Sequence, residues 1–168
     1  MLTHHAKLTC IYNQDWRELK ERVMNSTYSL LSGNVGMLIS MPHNGQKIPT
    51  NIADTMTAKG LSVADTDWYI DKLYDFASAM GIYIIKPNYS RYVIDLNRSP
   101  NGKILYAGAD NTELCPTTAF DSSPLYLENA QPTPAEIAHR INHYWQPYHQ
   151  ALSQTLDELK QKYHKVVL

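Results

Sequence analysis

The chain has 168 residues, 43% of them hydrophobic and 18% charged, which excludes a disordered polypeptide and supports one folded domain with its own core. Fifteen basic residues against sixteen acidic ones leave a formal charge of -1, so no electrostatic footprint for nucleic acid or an anionic membrane surface is expected, and anion recognition must be local. The first residues, Met-Leu-Thr-His-His-Ala-Lys, lead into no uninterrupted apolar segment and no stretch reaches transmembrane length, so the protein is expected to be cytoplasmic.

The first predicted element is a helix capped by Asp15 that carries Trp16, Leu19, Val23, Leu30 and Leu31 and stops at Gly33-Asn34. Residues 1–34 are therefore expected to form a helical extension ahead of the main domain, residues 35–168. Val35 to Met41 is a short apolar run between Gly33 and Pro42, and reads as a buried strand. Pro49-Thr50 opens a short helix through Ala53 and Met56 that closes near Gly60. A stronger helix is predicted from Asp65-Thr66-Asp67-Trp68 onward, with Trp68, Ile70, Leu73, Tyr74, Ala77 and Met80 on its apolar side and Gly81 as its C-terminal cap. Strands follow at Ile82 to Lys86 and at Tyr92 to Leu96, then a turn at Ser99-Pro100-Asn101-Gly102.

Residues 103–132 show little periodicity but carry Leu105, Tyr106, Leu114, Phe120, Leu125, Tyr126 and Leu127, which predicts a long ordered loop. Thr133-Pro134-Ala135-Glu136 is a capping box with proline at the first helical position. The helix it opens runs to Tyr163 and should kink at Pro147, where a backbone donor is lost. Lys165 to Leu168 begins a further strand. Helices alternating with short apolar strands imply an α/β sandwich whose sites lie beyond the carboxyl ends of strands.

Chemistry concentrates in two places. Ser90 to Arg98 reads Ser-Arg-Tyr-Val-Ile-Asp-Leu-Asn-Arg, so Arg91 and Arg98 flank an apolar core and Asp95, Asn97 and Arg98 emerge together. Guanidinium forks match carboxylates bidentately, which suggests a pocket for an anionic small molecule; pairing with Asp95 or solvation is the plain alternative. His43, in Met41-Pro42-His43-Asn44-Gly45, sits where a strand gives way to a loop and is either a metal ligand or a turn residue. Asp65, Asp67 and Asp71 cluster at the predicted helix start, where acids also serve the helix dipole. Asp67 and Asp71, four apart, are expected on one helix face, and a hard oxygen beside an imidazole suits zinc. His139 and His143 lack an intervening glutamate and read as surface residues. Cys10 and Cys115 read as free thiols.

Five motifs in order carry a family resemblance: Pro42-His43-Asn44-Gly45 with Ile48-Pro49; Asp65-Thr66-Asp67-Trp68 with Leu73 to Ala77; Ser90 to Arg98; Leu114-Cys115-Pro116-Thr117-Thr118 with Pro124-Leu125-Tyr126; and Tyr144 to His149. Together they closely resemble the N-formylglutamate deformylase family over roughly residues 36 to 168. The resemblance implies a three-layer α/β/α sandwich with a mixed sheet, phosphorylase/hydrolase-like and related to zinc carboxypeptidases and aspartoacylase. It implies hydrolysis of N-formyl-L-glutamate to L-glutamate and formate, at the end of a bacterial histidine-degradation route.

By the same resemblance, His43 is the first zinc ligand and Asp67 the acidic second, with Asp65 or Asp71 as substitutes. Arg91 would polarise the scissile carbonyl or stabilise its oxyanion, and Asn97 and Arg98 would hold a substrate carboxylate. Family members continue past the Val-Val-Leu strand with an Asp-x-His-Ser segment that carries the third ligand, and the general base lies further on. A truncated chain with impaired activity is therefore expected, with an incomplete sheet and a possible homo-oligomeric state that covers the exposed edge. A zinc amidohydrolase acting on another N-acyl amino acid, or a non-catalytic oligomerising fragment, are the alternatives.

Overall fold

The computed structural model describes residues 26–101 and 113–168. A mixed three-stranded sheet lies at its centre, in the order β1-β3-β2: β1 is Tyr28–Leu31, β2 Leu38–Ser40 and β3 Tyr83–Pro87. β1 runs antiparallel to β3, pairing Tyr28 with Pro87 and Leu31 with Ile84, while β2 runs parallel to it, pairing Ile39 with Ile84. Parallel neighbours need a long crossover. Here it holds four short helical turns: α1 (Thr50–Ala53), α2 (Ala58–Leu61), α3 (Ile70–Leu73) and α4 (Phe76–Ala79).

The helix expected to run through Leu30 and Leu31 is corrected, because those residues belong to β1. Tertiary pairing decides the matter: β3 offers a free edge, and a short segment gains more by completing the ladder than from its own weak helical preference. The Asp15, Trp16, Leu19 and Val23 part of that expectation, and Cys10, lie outside the described residues. Residue 167 extends the sheet on the other side, bridging in parallel to Met37, with the Leu38 N–H donating to the Val167 carbonyl at 2.9 Å. That bridge is the strand start expected near the last residues.

A single helix from Asp65 to Met80 is corrected as well. Asp67 lies before the helical turns, Tyr69 takes a left-handed conformation (φ 63°), and the helical path is divided between α3 and α4. Asp67 and Asp71 therefore share no helix face. Trp68, Leu73 and Met80 are exposed, and within the two helical turns only Ala77 is buried. Gly81 does cap this stretch as expected; its φ of +72° is a conformation that a residue with a Cβ resists.

Tyr92 to Leu96 is not a strand. The Val93 N–H donates to the Ser90 carbonyl at 2.9 Å and the Arg98 N–H to the Asp95 carbonyl at 3.1 Å, so consecutive turns satisfy the backbone locally. An apolar run signals burial before it signals a strand, and Arg91 to Leu96 are all buried. The described part of the long loop, 113–132, is ordered by stitches to its neighbours: the Asp95 N–H donates to the Leu114 carbonyl at 2.7 Å, and the Thr57 N–H to the Leu125 carbonyl at 2.9 Å.

The C-terminal helix begins as expected, with Pro134 in its first turn and the Thr133 hydroxyl accepting from the Glu136 N–H at 3.3 Å. Glu136 itself pairs with Arg140. Pro147 produces a change of pitch: α5 (Pro134–Arg140) passes through a π turn (Ile141–Trp145) into α6 (Gln146–Tyr163), and the Gln146 N–H reaches back five residues to the Ile141 carbonyl. A wider turn gives the proline ring room where an α-helical carbonyl would collide with it. Tyr148, Ala151 and Leu159 of α6 join Leu38, Ile85, Tyr92, Val93 and Leu125 in the core. Among the described residues no helix is long and apolar enough to cross a membrane.

Candidate active site

β2 and β3 point the same way, so the segments leaving their carboxyl ends emerge side by side. They stay together: the Lys47 N–H donates to the Asn88 carbonyl at 3.0 Å and the Ser90 N–H to the Lys47 carbonyl at 2.9 Å. Gly45 permits this approach, since a Cβ there would lie 2.1 Å from the Tyr89 carbonyl oxygen. The first exit carries His43 and the second carries Arg91 and Asp95.

Asp95 is the centre of the cluster. Its carboxylate is fully buried, accepting from His43 Nε2 at 2.7 Å, from Arg91 Nη2 at 2.7 Å and from the Asn97 backbone N–H at 2.9 Å. Burial by itself would raise its pKa, but the bond to His43 and the charges of His43 and Arg91 outweigh that and hold it at about 2. A carboxylate fixed in its ionised form locks the imidazole, directing Nε2–H inward and turning Nδ1 the other way.

Nδ1 faces Asp67 Oδ2 at 3.7 Å, beyond hydrogen-bonding range, with the Asp67 side chain half exposed and that of His43 12% exposed. Backbone ties set the separation, because the Asp67 N–H donates to the His43 carbonyl at 3.0 Å and Asn44 Nδ2 donates to the Asp67 carbonyl at 3.3 Å. The other two acids are engaged elsewhere. Asp71 pairs with Lys86 at 3.0 Å, which lowers its pKa, and Asp65 accepts from the Phe120 N–H at 2.8 Å.

These residues fit a divalent metal as two donors of a larger set. A nitrogen and an oxygen that each bind one zinc ion at about 2.0–2.2 Å stand at a comparable separation, and a buried carboxylate behind the ligating imidazole is the usual support of such a ring. Among the described residues, no group of three or more His, Cys, Asp or Glu side chains is arranged to hold a metal.

Arg91 is buried, bonded to Asp95, 3.5 Å from the Asp65 carbonyl through Nη1, and stacked over the Phe120 ring with its guanidinium carbon 4.9 Å from the centroid. The surface pairing considered from the sequence is thus an interior one. Asn97, exposed, and Arg98, partly exposed, follow Asp95 on the same turn. Sequence reasoning had Asp95 in its motif but missed that it binds His43; the signal was a histidine at a buried strand exit that needs an acceptor. It also missed Arg140, a fully buried cation that donates to the Val93 carbonyl at 3.0 Å and to the Tyr126 hydroxyl at 2.8 Å, bracing the same loop from below. Cys115 lies nearby, buried, and desolvation raises its thiol pKa to about 11.

Comparison with known proteins identifies the family and the fold. Residues 35–168 match the family described as N-formylglutamate amidohydrolase. The chain is 40% identical over 140 residues to an N-formylglutamate deformylase of Pseudomonas putida, and 39% identical to that of Pseudomonas aeruginosa. Each alignment covers 83% of this chain and 52% of the relative, so the chain spans about half the length of the curated relatives it matches. The crystal structure of an N-formylglutamate amidohydrolase from Ralstonia eutropha JMP134 superposes with a TM-score of 0.66 at 24% identity, covering 83% of this chain and 54% of that one. A gene product of Agrobacterium tumefaciens gives 0.63 at 16% identity, covering 87% and 56%. The fold is thus an α/β fold like those structures.

Proposed function

Since the chain belongs to the N-formylglutamate amidohydrolase family, we propose that its cleft binds N-formyl-L-glutamate and takes part in hydrolysis of the formyl amide to L-glutamate and formate. The observation that carries this is the placement of His43 between Asp95 and Asp67, 2.7 and 3.7 Å away, on the loop packed against the arginine-bearing turn. In this reading the domain has the layered α/β/α architecture of zinc carboxypeptidases, and the protein serves histidine degradation in the cytoplasm.

His43 through Nδ1 and Asp67 through its carboxylate would hold the metal, zinc by the nature of the donors. Bound there, zinc supplies polarisation of the formyl oxygen and a water that ionises near neutral pH. The chain's own residues supply the rest. Asp95 keeps the imidazole in one tautomer and orientation. The Arg91 guanidinium stabilises negative charge developing on the formyl oxygen, and its stacking on Phe120 limits the rotamers it loses on doing so. Asn97 and Arg98 hold a carboxylate of the substrate and so orient the amide.

Calorimetric titration with zinc and release of formate from N-formyl-L-glutamate test this together. His43→Ala and Asp67→Ala are expected to weaken zinc binding more than tenfold, with Asp71→Ala unchanged; equal affinity in all three variants would sink the assignment. N-Acetyl-L-glutamate turned over as well as the formyl compound would favour the second reading, a zinc amidohydrolase for other N-acyl amino acids. A homo-oligomeric state that covers the sheet edge is tested by solution mass.

A further inference from the structure

Two aromatic side chains that the chemistry above does not use grip the loop that presents Asn97 and Arg98. Trp145 donates its indole Nε1–H to the Arg98 carbonyl at 2.9 Å. One helical turn later, His149 Nε2 lies 2.9 Å from the Leu96 carbonyl, to which it donates. The two rings stack on each other, centroids 3.8 Å apart and planes 27° apart, and Tyr148 packs edge-on against His149 at 5.6 Å. Carbonyls on both sides of Asn97 are therefore held by one rigid aromatic unit, while Asp95 is held by Arg91, His43 and Leu114.

The helix is distorted to allow this. The π turn Ile141–Trp145 adds one residue to the coil, which rotates the remainder of the helix by about 100° relative to the face that carries Ile137 and Ile141. Trp145 closes that turn and His149 follows it, and both rings lie against the 96–98 turn. Burial lowers the His149 pKa, against the opposing effect of the Leu96 carbonyl, which favours a neutral ring with its single N–H on that carbonyl.

We propose that the Trp145–His149 stack is a positioning clamp for Asn97 and Arg98, fixing the turn from which these residues reach the substrate carboxylate. The clamp rests on the reading of Asn97 and Arg98 as the carboxylate-binding pair. Neither aromatic residue touches substrate in this arrangement; both act through the backbone of the loop.

The test is calorimetric titration of N-formyl-L-glutamate into the full 168-residue chain, with thermal midpoints recorded for each variant. Trp145→Phe and His149→Phe keep a ring but lose the donor, and each is expected to weaken binding about five- to tenfold. His149→Gln keeps an N–H near the same place and should stay within about twofold. In an Arg98→Ala background, Trp145→Phe should cost less than about twofold, because the carbonyl that the indole holds then belongs to a residue with no guanidinium to position. An equal loss with and without Arg98, or no loss in the folded Phe variants, overturns the clamp. Should the Phe variants not fold, the indole N–H proton resonance of Trp145 in the unsubstituted chain decides: it must shift on adding N-formyl-L-glutamate, and an unmoved resonance alongside measured binding overturns the proposal. An unsubstituted chain that binds no N-formyl-L-glutamate instead brings down the substrate reading itself, and the clamp with it.

Discussion

The Ser90–Arg98 turn and the α3–α4 stretch start from similar material, apolar residues interleaved with arginine or aspartate, and end in opposite states. Arg91 to Leu96 are all buried and tied by side-chain or backbone bonds to His43, Asp65, Leu114 and Arg140. In α3 and α4 only Ala77 is buried; Leu73, Phe76 and Met80 are 52–66% exposed, and the main outside polar tie is Asp71 to Lys86. Polar side chains thus organise the better-packed region. A buried charge is tolerated only where partners surround it, and those partners in turn fix the backbone that carries them.

Removing the centre of that organisation gives the largest expected effect. Asp95→Ala leaves Arg91 and His43 facing each other without their acceptor, and should cost about 3–5 kcal/mol of stability in urea denaturation. A loss below about 1 kcal/mol would erase the distinction between the two regions. Acid probes the same carboxylate more gently. Its folded pKa of about 2 lies below the ordinary 3.8, so the stabilisation it gives is fully present above pH 4 and is lost as pH falls through 2. That window is worth about 2 kcal/mol. Melting temperatures followed from pH 5 to pH 2 should fall steeply in the unsubstituted protein and less so in Asp95→Asn. The smallest effect belongs to the other region: Phe76→Ser and Met80→Ser, both exposed, should change stability by less than about 0.5 kcal/mol. A larger loss would show that these side chains are covered in solution.

Much of the fold was legible where the signal is local. The Thr133 cap with Pro134, the Gly81 cap and the β2 and β3 strands follow from residue types acting within a few positions of themselves. The helix expected through Leu30 failed because strand pairing with β3 outweighed a weak local preference. The strand expected at Tyr92–Leu96 failed because an apolar run reports burial, and its backbone finds its partners in turns. Pro147 was readable as a disturbance; that the helix absorbs it by widening at Ile141–Trp145 was not. In the candidate site, His43, Arg91 and Asp95 were all visible as residues and pairing of arginine with Asp95 as one alternative, but the contact between His43 and Asp95 was not.

The amino-acid order alone determined which chemistry is available: an imidazole at a strand exit, a choice of three aspartates, and arginines around an acid, in motifs specific enough to mark the family. Folding chose among them. Two parallel strands delivered His43 and Asp95 to the same edge, a left-handed Tyr69 separated Asp67 from the helix that holds Asp71, and Lys86 engaged the latter. Residue type is set position by position along the chain, whereas distance between side chains far apart in the chain depends on how the strands pair and which charges become buried together.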